Sequence, residues 1–265
     1  MSNSAPIGVF DSGIGGLTVV AAIRRELPAE SIVYLGDTAR VPYGTKSPEV
    51  VRRYALRCSR LLVEQGAKMV VVACNTATAY GLDGMREELG VPVLGVIEPG
   101  AALAAAHSKA KRIGIIGTEG TIASGSYQRA LTRLAPHAEV VARACPLFVP
   151  LAEEGFCDHP ATRLIAEEYL TPLVHDQVDT LVLGCTHYPL LTRVIRAVVG
   201  PKVEIIDSAT AVAHATYAML TEHAMLSSKR NTSDRFFATD VATRFLRVGR
   251  AFLGGAIDSV EVVDL

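Results

Sequence analysis

Two cysteines sit at the ends of strongly apolar runs and are followed at once by hydrogen-bonding side chains: Val70-Val-Val-Ala-Cys74-Asn-Thr76 and Leu181-Val-Leu-Gly-Cys185-Thr-His187. A free thiol ionises near pH ~8.5, and a helix N-terminus, a cation or a directed hydrogen bond brings the thiolate within reach of neutral pH. Two such sulfurs can exchange roles. One, as thiolate, removes a hydrogen from a carbon acid; the other, as thiol, returns a proton to the opposite face, and the centre inverts without net redox change. A cysteine beside Val and Ile is also commonly a small buried hydrophobe. The mirrored strand-end setting separates this pair from Cys58, Cys145 and Cys157, which lack it and read as structural.

Carbanion character beside a carboxylate needs directed donors. The stretch Gly8-Val-Phe-Asp-Ser-Gly-Ile-Gly-Gly16 leads from an apolar run into a helical one. Helix-starting amides near Gly13, Gly15 and Gly16, together with Asn75, Thr76 and Thr186, are therefore candidates to hold carboxylates. Asp11 is placed to orient an ammonium or to assist on the Cys74 side, and His187 to assist beside Cys185. Each has a plainer alternative: Asp11 and Ser12 as helix caps, the glycines as tight backbone turns, His187 as a hydrogen-bonded packing residue. The glycines do not complete a dinucleotide fingerprint, and no Walker lysine follows them.

Asp37-Thr-Ala-Arg-Val-Pro42-Tyr43-Gly44 makes a shaped loop after another apolar run. Here Tyr43 either closes over a small ligand or belongs to an ordinary surface turn. Glu153 and Glu154 follow the apolar-rich stretch 146–152. Folded inward, they would polarise His187 or one thiol; otherwise they form a solvated turn.

These residues must be positioned by strands and helices, and the hydrophobic pattern supplies both. Short Val, Ile and Leu runs at 7–10, 32–35, 69–73, 93–96, 112–116, 140–144, 180–183 and 203–206 read as strands. Apolar on consecutive residues, they suit sheets covered on both faces. Segments 17–27, 48–65, 76–89, 101–107, 122–134, 161–175 and 190–199 have helical length between them. A helix at 209–222, a polar loop or hinge at 227–234, a last helix at 241–252 and short flanking strands at 236–239 and 260–263 follow. The fold class is α/β with mainly parallel sheets flanked by helices. A glycine-bearing strand-to-helix turn at 8–16 is echoed at 114–120, and each half later carries its strand-end cysteine, an order of parts that suggests two related lobes. Periodicity alone would also permit one continuous sheet.

The 265 residues, 49% of them apolar and 20% charged, can fill one large core or two modest ones. With 26 Lys plus Arg against 27 Asp plus Glu and no block of either sign, a cationic footprint for nucleic acid is absent. No run reaches the ~18 apolar residues of a membrane span, and residues 1–6 resemble neither a signal nor a transit peptide. Five cysteines without dense spacing suit a reducing cytoplasm.

The blocks Phe10-Asp-Ser-Gly-Ile-Gly-Gly16, Gly36-Asp-Thr38, Pro42-Tyr-Gly44, Ala73-Cys-Asn-Thr-Ala77 and Gly184-Cys-Thr-His-Tyr-Pro189, in this order, resemble the glutamate racemases of the aspartate/glutamate racemase family along essentially the whole chain. The resemblance implies that Cys74 acts on D-glutamate and Cys185 on L-glutamate, with Asp11 and His187 as auxiliary acid/base residues and Glu153 as the matching glutamate. It implies substrate contacts from Ser12, Pro42, Tyr43, Gly44, Asn75, Thr76 and Thr186, and from the region of Thr118 and Thr121. It further implies two pseudo-symmetric lobes, 1–99 with 207–265 and 100–206, enclosing the ligand between them. No cofactor, no metal, a cytoplasmic location, homodimer formation and a supply of D-glutamate for peptidoglycan are part of the same expectation.

Rival readings are a two-thiol racemase acting on aspartate or a hydantoin, and a two-lobed amino-acid-binding protein without turnover. A zinc site through Cys74, Cys185 and His187 lacks a credible fourth ligand. A pyridoxal-phosphate enzyme needs a Schiff-base lysine, and Lys68 precedes its strand instead of following it.

Overall fold

The computed structural model describes residues 3–230, 232–253 and 257–265; Met1 and Ser2 of the N-terminal stretch lie outside them. The strands are β1 (Ile7–Asp11), β2 (Ile32–Gly36), β3 (Met69–Val72), β4 (Val93–Gly95), β5 (Arg112–Gly117), β6 (Glu139–Ala144), β7 (Thr180–Gly184), β8 (Glu204–Asp207), β9 (Arg235–Ala238) and β10 (Glu261–Val262). The helices are α1 (Leu17–Glu26), α2 (Pro48–Glu64), α3 (Asn75–Glu88), α4 (Ile97–His107), α5 (Glu119–Ala123), α6 (Ser126–Leu134), α7 (Phe148–Glu153), α8 (Pro160–His175), α9 (Thr192–Val199), α10 (Ser208–Glu222) and α11 (Ala242–Leu253).

The chain divides into two compact units, Met1–Val96 with Ala209–Leu265, and Ile97–Ser208. The first contains a six-stranded sheet in the order β10-β9-β2-β1-β3-β4; the second contains a four-stranded sheet in the order β6-β5-β7-β8. All pairings among the described residues are parallel. The run β2-β1-β3-β4 has the same connectivity as β6-β5-β7-β8, so the repeat suggested by the two cysteine motifs is a repeat of topology. The first unit adds β9 at the free edge of β2, with Phe237 opposite Leu35, and then β10.

Every residue of β1, β2, β3, β4 and β7 is buried, which is why their sequences are continuously apolar instead of alternating. On one side of the first sheet, Phe10, Val33, Leu35, Val70 and Val72 pack with Val51, Ala55, Leu62 and Met85 from α2 and α3. In the second unit, Ile116, Leu181 and Leu183 pack with Ala166, Leu170, Leu173 and Ile195 from α8 and α9. Burying each large aliphatic side chain is worth roughly 1.5–3 kcal/mol.

Local signals set several boundaries. Ser47 caps α2 by accepting from the Val50 amide, Pro48 occupies its first turn, and Gly66 turns the chain at φ +89° before β3. The expected helix at 122–134 is instead two helices, because Gly125 adopts φ +66° between α5 and α6. The six-residue α7 is too short to announce itself by periodicity. In the polar run expected at 227–234, Asn231 lies outside the described residues, and the described residues at the run's two ends are tied by hydrogen bonds. The Ser227 amide donates to Glu30, and Asp234 accepts from Arg24, Arg230 and the Ile32 amide.

Candidate active-site residues

In a parallel sheet, loops leaving adjacent strands in opposite directions open a crevice at the strands' carboxyl ends. In the first unit this switch point lies between β1 and β3, and it brings together Asp11, the last residue of β1, and Cys74, just beyond β3. In the second unit it lies between β5 and β7, where Cys185 corresponds to Cys74 and Thr118, the first residue beyond β5, corresponds to Ser12.

Cys74 is the N-cap of α3, and its Sγ accepts from the Ala77 amide at 3.4 Å. Sulfur here occupies the place usually taken by a Ser or Asp oxygen. The helix N-terminus and the amide both favour negative charge on it, the condition for a thiolate base. Asn75 and Thr76, buried in the first turn, lie beside it.

Asp11 is fully buried and its Oδ2 accepts from the Gly13 amide at 3.0 Å. It does not cap α1: the N-cap is Gly16, with no side-chain capping bond, so helix capping does not account for Asp11 or the neighbouring buried Ser12. The glycines are required by close approach. A Cβ on Gly16 would lie 2.5 Å from Asp11 Cβ, and one on Gly36 2.2 Å from the Gly13 carbonyl oxygen. The Gly13 N–H is directed to Asp11.

The loop after β2 differs from both expectations for it. Tyr43 is neither a lid nor part of a surface turn: it is 1% exposed, its ring packs near Phe10 and Tyr54, and its phenol donates to Asp37 Oδ2 at 2.5 Å. Burial, with the Asp37 carboxylate beside it, holds that phenol well above the usual tyrosine range. Asp37, also fully buried, accepts from Arg40 at 3.1 Å and from Thr239, just past β9, at 2.8 Å. The carboxylate is therefore the hub that shapes Pro42, Tyr43 and Gly44 and joins them to the C-terminal segment. An Asp at the carboxyl end of a strand, as at Asp11, was the available signal for it.

In the second unit, Cys185 leads into a 3₁₀ turn, Tyr188–Leu191. His187 Nδ1 lies 3.9 Å from Cys185 Sγ, and its Nε2 lies 3.1 Å from Glu153 Oε1. The two side chains are 5% and 14% exposed. This alignment is a packing result. Phe148 of α7 meets Tyr188 edge-on at 5.2 Å, and the Tyr188 hydroxyl donates to the Cys145 carbonyl at 2.8 Å, docking the helix that carries Glu153 against the turn that carries His187. Glu153 is thus no solvated turn residue, whereas Glu154 is exposed. Thr118 caps α5, its Oγ1 accepting from the Thr121 amide and donating to the Thr121 hydroxyl at 3.0 Å; both threonines and Thr186 are buried.

The remaining thiols sit differently. Burial pushes Cys58 well above the ordinary thiol range and Cys145 up to about 12, which leaves both protonated at neutral pH. Among the described residues, no group of three or more His, Cys, Asp and Glu is arranged to hold a metal ion, and no helix is long and apolar enough to cross a membrane.

A profile of the Asp/Glu/hydantoin racemases matches residues 7–216. The chain is 52% identical over 263 residues to a glutamate racemase of Geobacter metallireducens, with 98% of this chain and 96% of that protein covered. Among solved structures it is similar to a glutamate racemase isoform from Bacillus anthracis, with a TM-score of 0.95, 41% identity and coverage of 99% of this chain and 98% of that one. It is likewise similar to the Francisella tularensis glutamate racemase solved in complex with D-glutamate, with a TM-score of 0.93, 37% identity and coverage of 99% and 98%. Matches that span nearly the whole of both partners leave one conclusion: the chain belongs to the Asp/Glu/hydantoin racemase family.

Proposed function

We propose that this chain interconverts L-glutamate and D-glutamate without a cofactor, through Cys74 and Cys185, and supplies D-glutamate for peptidoglycan. Acting on D-glutamate, the Cys74 thiolate takes the α-hydrogen and becomes a thiol, while the electron pair left on the α-carbon is delocalised towards the adjacent carboxylate. The Cys185 thiol delivers its proton to the opposite face and becomes a thiolate. Starting from L-glutamate, the same steps run in reverse, and proton exchange with solvent resets the pair.

The observation that carries this reading is the equivalence of the two cysteines. Each follows the third strand of the same topological repeat, one at a helix N-terminus and the other beside His187 and Glu153. Asp11 assists on the Cys74 side. His187, oriented by Glu153, assists on the Cys185 side. Ser12, Asn75, Thr76, Thr118, Thr121 and Thr186 supply hydroxyl and amide groups for the substrate's carboxylates and ammonium. Pro42, Tyr43 and Gly44 contribute through backbone, since the Tyr43 side chain is taken up in the core. The protein works in the cytoplasm as a homodimer, and the lobes are 1–99 with 207–265 and 100–206.

Chiral chromatography after incubation with D- and L-glutamate and D- and L-aspartate, with no added cofactor, tests the assignment. Both glutamate enantiomers should approach the racemic mixture. Turnover of aspartate alone, or binding of glutamate without inversion, would refute it.

A further inference from the structure

Behind Asp11 lies a side chain that no catalytic motif contains. Tyr34, in the middle of β2, is fully buried, with its ring centroid 6.2 Å from that of Phe236 and 5.7 Å from that of Phe245. Its phenol donates to the Gly13 carbonyl oxygen at 2.8 Å. That carbonyl can lie over β2 only because Gly36, next on the same face of the strand, has no Cβ to displace it. The N–H of the same Gly13 donates to Asp11 Oδ2 at 3.0 Å, and Gly16 closes against the Asp11 Cβ from the other side. Gly13 is therefore held through both of its polar backbone groups, one by Tyr34 and one by Asp11. Burial, with negative charge on Asp11 and Cys74, keeps the phenol protonated and hence a donor.

We propose that Tyr34 is a positioning residue for the Cys74 side of the reaction, fixing Gly13 so that its N–H holds the Asp11 carboxylate in one orientation. The inference rests on the glutamate racemisation proposed above, with Asp11 assisting Cys74. Chains of this kind matter because a sub-ångström displacement of an assisting group lowers the rate steeply.

The test must allow for a constraint of the reaction. Enantiomers have equal free energy in water, so kcat/KM is the same in both directions, and a lesion on one side cannot appear as a one-way loss of kcat/KM. It does appear in isotope effects. The α-deuterium of D-glutamate is removed at Cys74, and that of L-glutamate at Cys185. Tyr34→Phe should lower kcat/KM about tenfold, a fraction of what general acid/base assistance supplies. It should also raise the primary isotope effect on kcat/KM with α-deuterated D-glutamate and lower it with α-deuterated L-glutamate, because the Cys74 step becomes the slower one. In an Asp11→Asn background, Tyr34→Phe should change neither isotope effect.

A merely structural loss would move the two isotope effects together, and that result, or an undiminished response in the Asp11→Asn background, overturns the proposal. Should Tyr34→Phe fail to fold, Phe245→Leu, which loosens the ring while leaving the phenol, should shift the isotope effects in the same opposed directions; no shift overturns the proposal. A wild-type protein that does not racemise glutamate would instead sink the functional reading on which it rests.

Discussion

Lys68→Met should cost the first unit about 3–5 kcal/mol, the range for removing one partner of a buried ion pair. The side chains of Lys68 and Glu30 are each 1% exposed, with Nζ 2.6 Å from Glu30 Oε2. The ammonium also reaches the Asn3 carbonyl at 2.7 Å, the Met225 carbonyl at 2.7 Å and Ser227 Oγ at 3.3 Å. It thereby ties together the N-terminal stretch, the turn before β2, the start of β3 and the segment after α10. Methionine fills nearly the same volume, so the loss is electrostatic: Glu30 stays buried with the Ser227 amide at 2.8 Å but without its cation. Adding Glu30→Gln should recover most of the loss, because the glutamine carbonyl can still accept from that amide and no unpaired charge remains. Denaturant titrations of the wild type, both single variants and the double variant would measure this, and the melting temperature of Lys68→Met should fall on the order of 10 °C. Lys68 lies at the end of β3 opposite Cys74, so turnover measured on folded protein at low temperature should be unchanged. A loss below about 1 kcal/mol, the scale of an exposed pair, or a double variant as unstable as the single one, would refute the reasoning.

Cys74→Ser and Cys185→Ser should each reduce racemisation by roughly 10²–10⁴-fold, equally in both directions by kcat/KM, with the melting temperature nearly unchanged; one variant with normal turnover in both directions would break the paired-base assignment. Glu153→Gln should lower kcat about tenfold, by releasing His187 from its carboxylate partner, while costing no more than about 1.5 kcal/mol of stability, the scale of one hydrogen bond; steady-state kinetics and thermal melts check both halves. Gly36→Ala should lower stability by about 1–3 kcal/mol and raise KM, since the added Cβ meets the Gly13 carbonyl oxygen; an unaltered melt would show that the loop yields without cost.

The eight strands of the repeat, their parallel arrangement and the strand-end placement of both cysteines were legible in the sequence, because burial on both faces makes a parallel strand continuously apolar and its carboxyl end is marked where polar residues begin. Asp11, Cys74, Cys185 and His187 stand where those polar stretches begin, and the roles expected of them come from the family resemblance. Other features were not. That Tyr43 turns inward to Asp37, that Glu153 rather than Glu154 reaches His187, and that Tyr34 stands behind Gly13 all depend on which face of one element meets another. The return of β9 to the edge of β2 is a pairing across some two hundred positions of chain, joined through Thr239 to Asp37. Hydrophobic periodicity reports which residues leave water; which of them become neighbours is decided only when the sheets and helices pack, and the hydrogen bonds that aim the candidate acid and base groups form at those contacts.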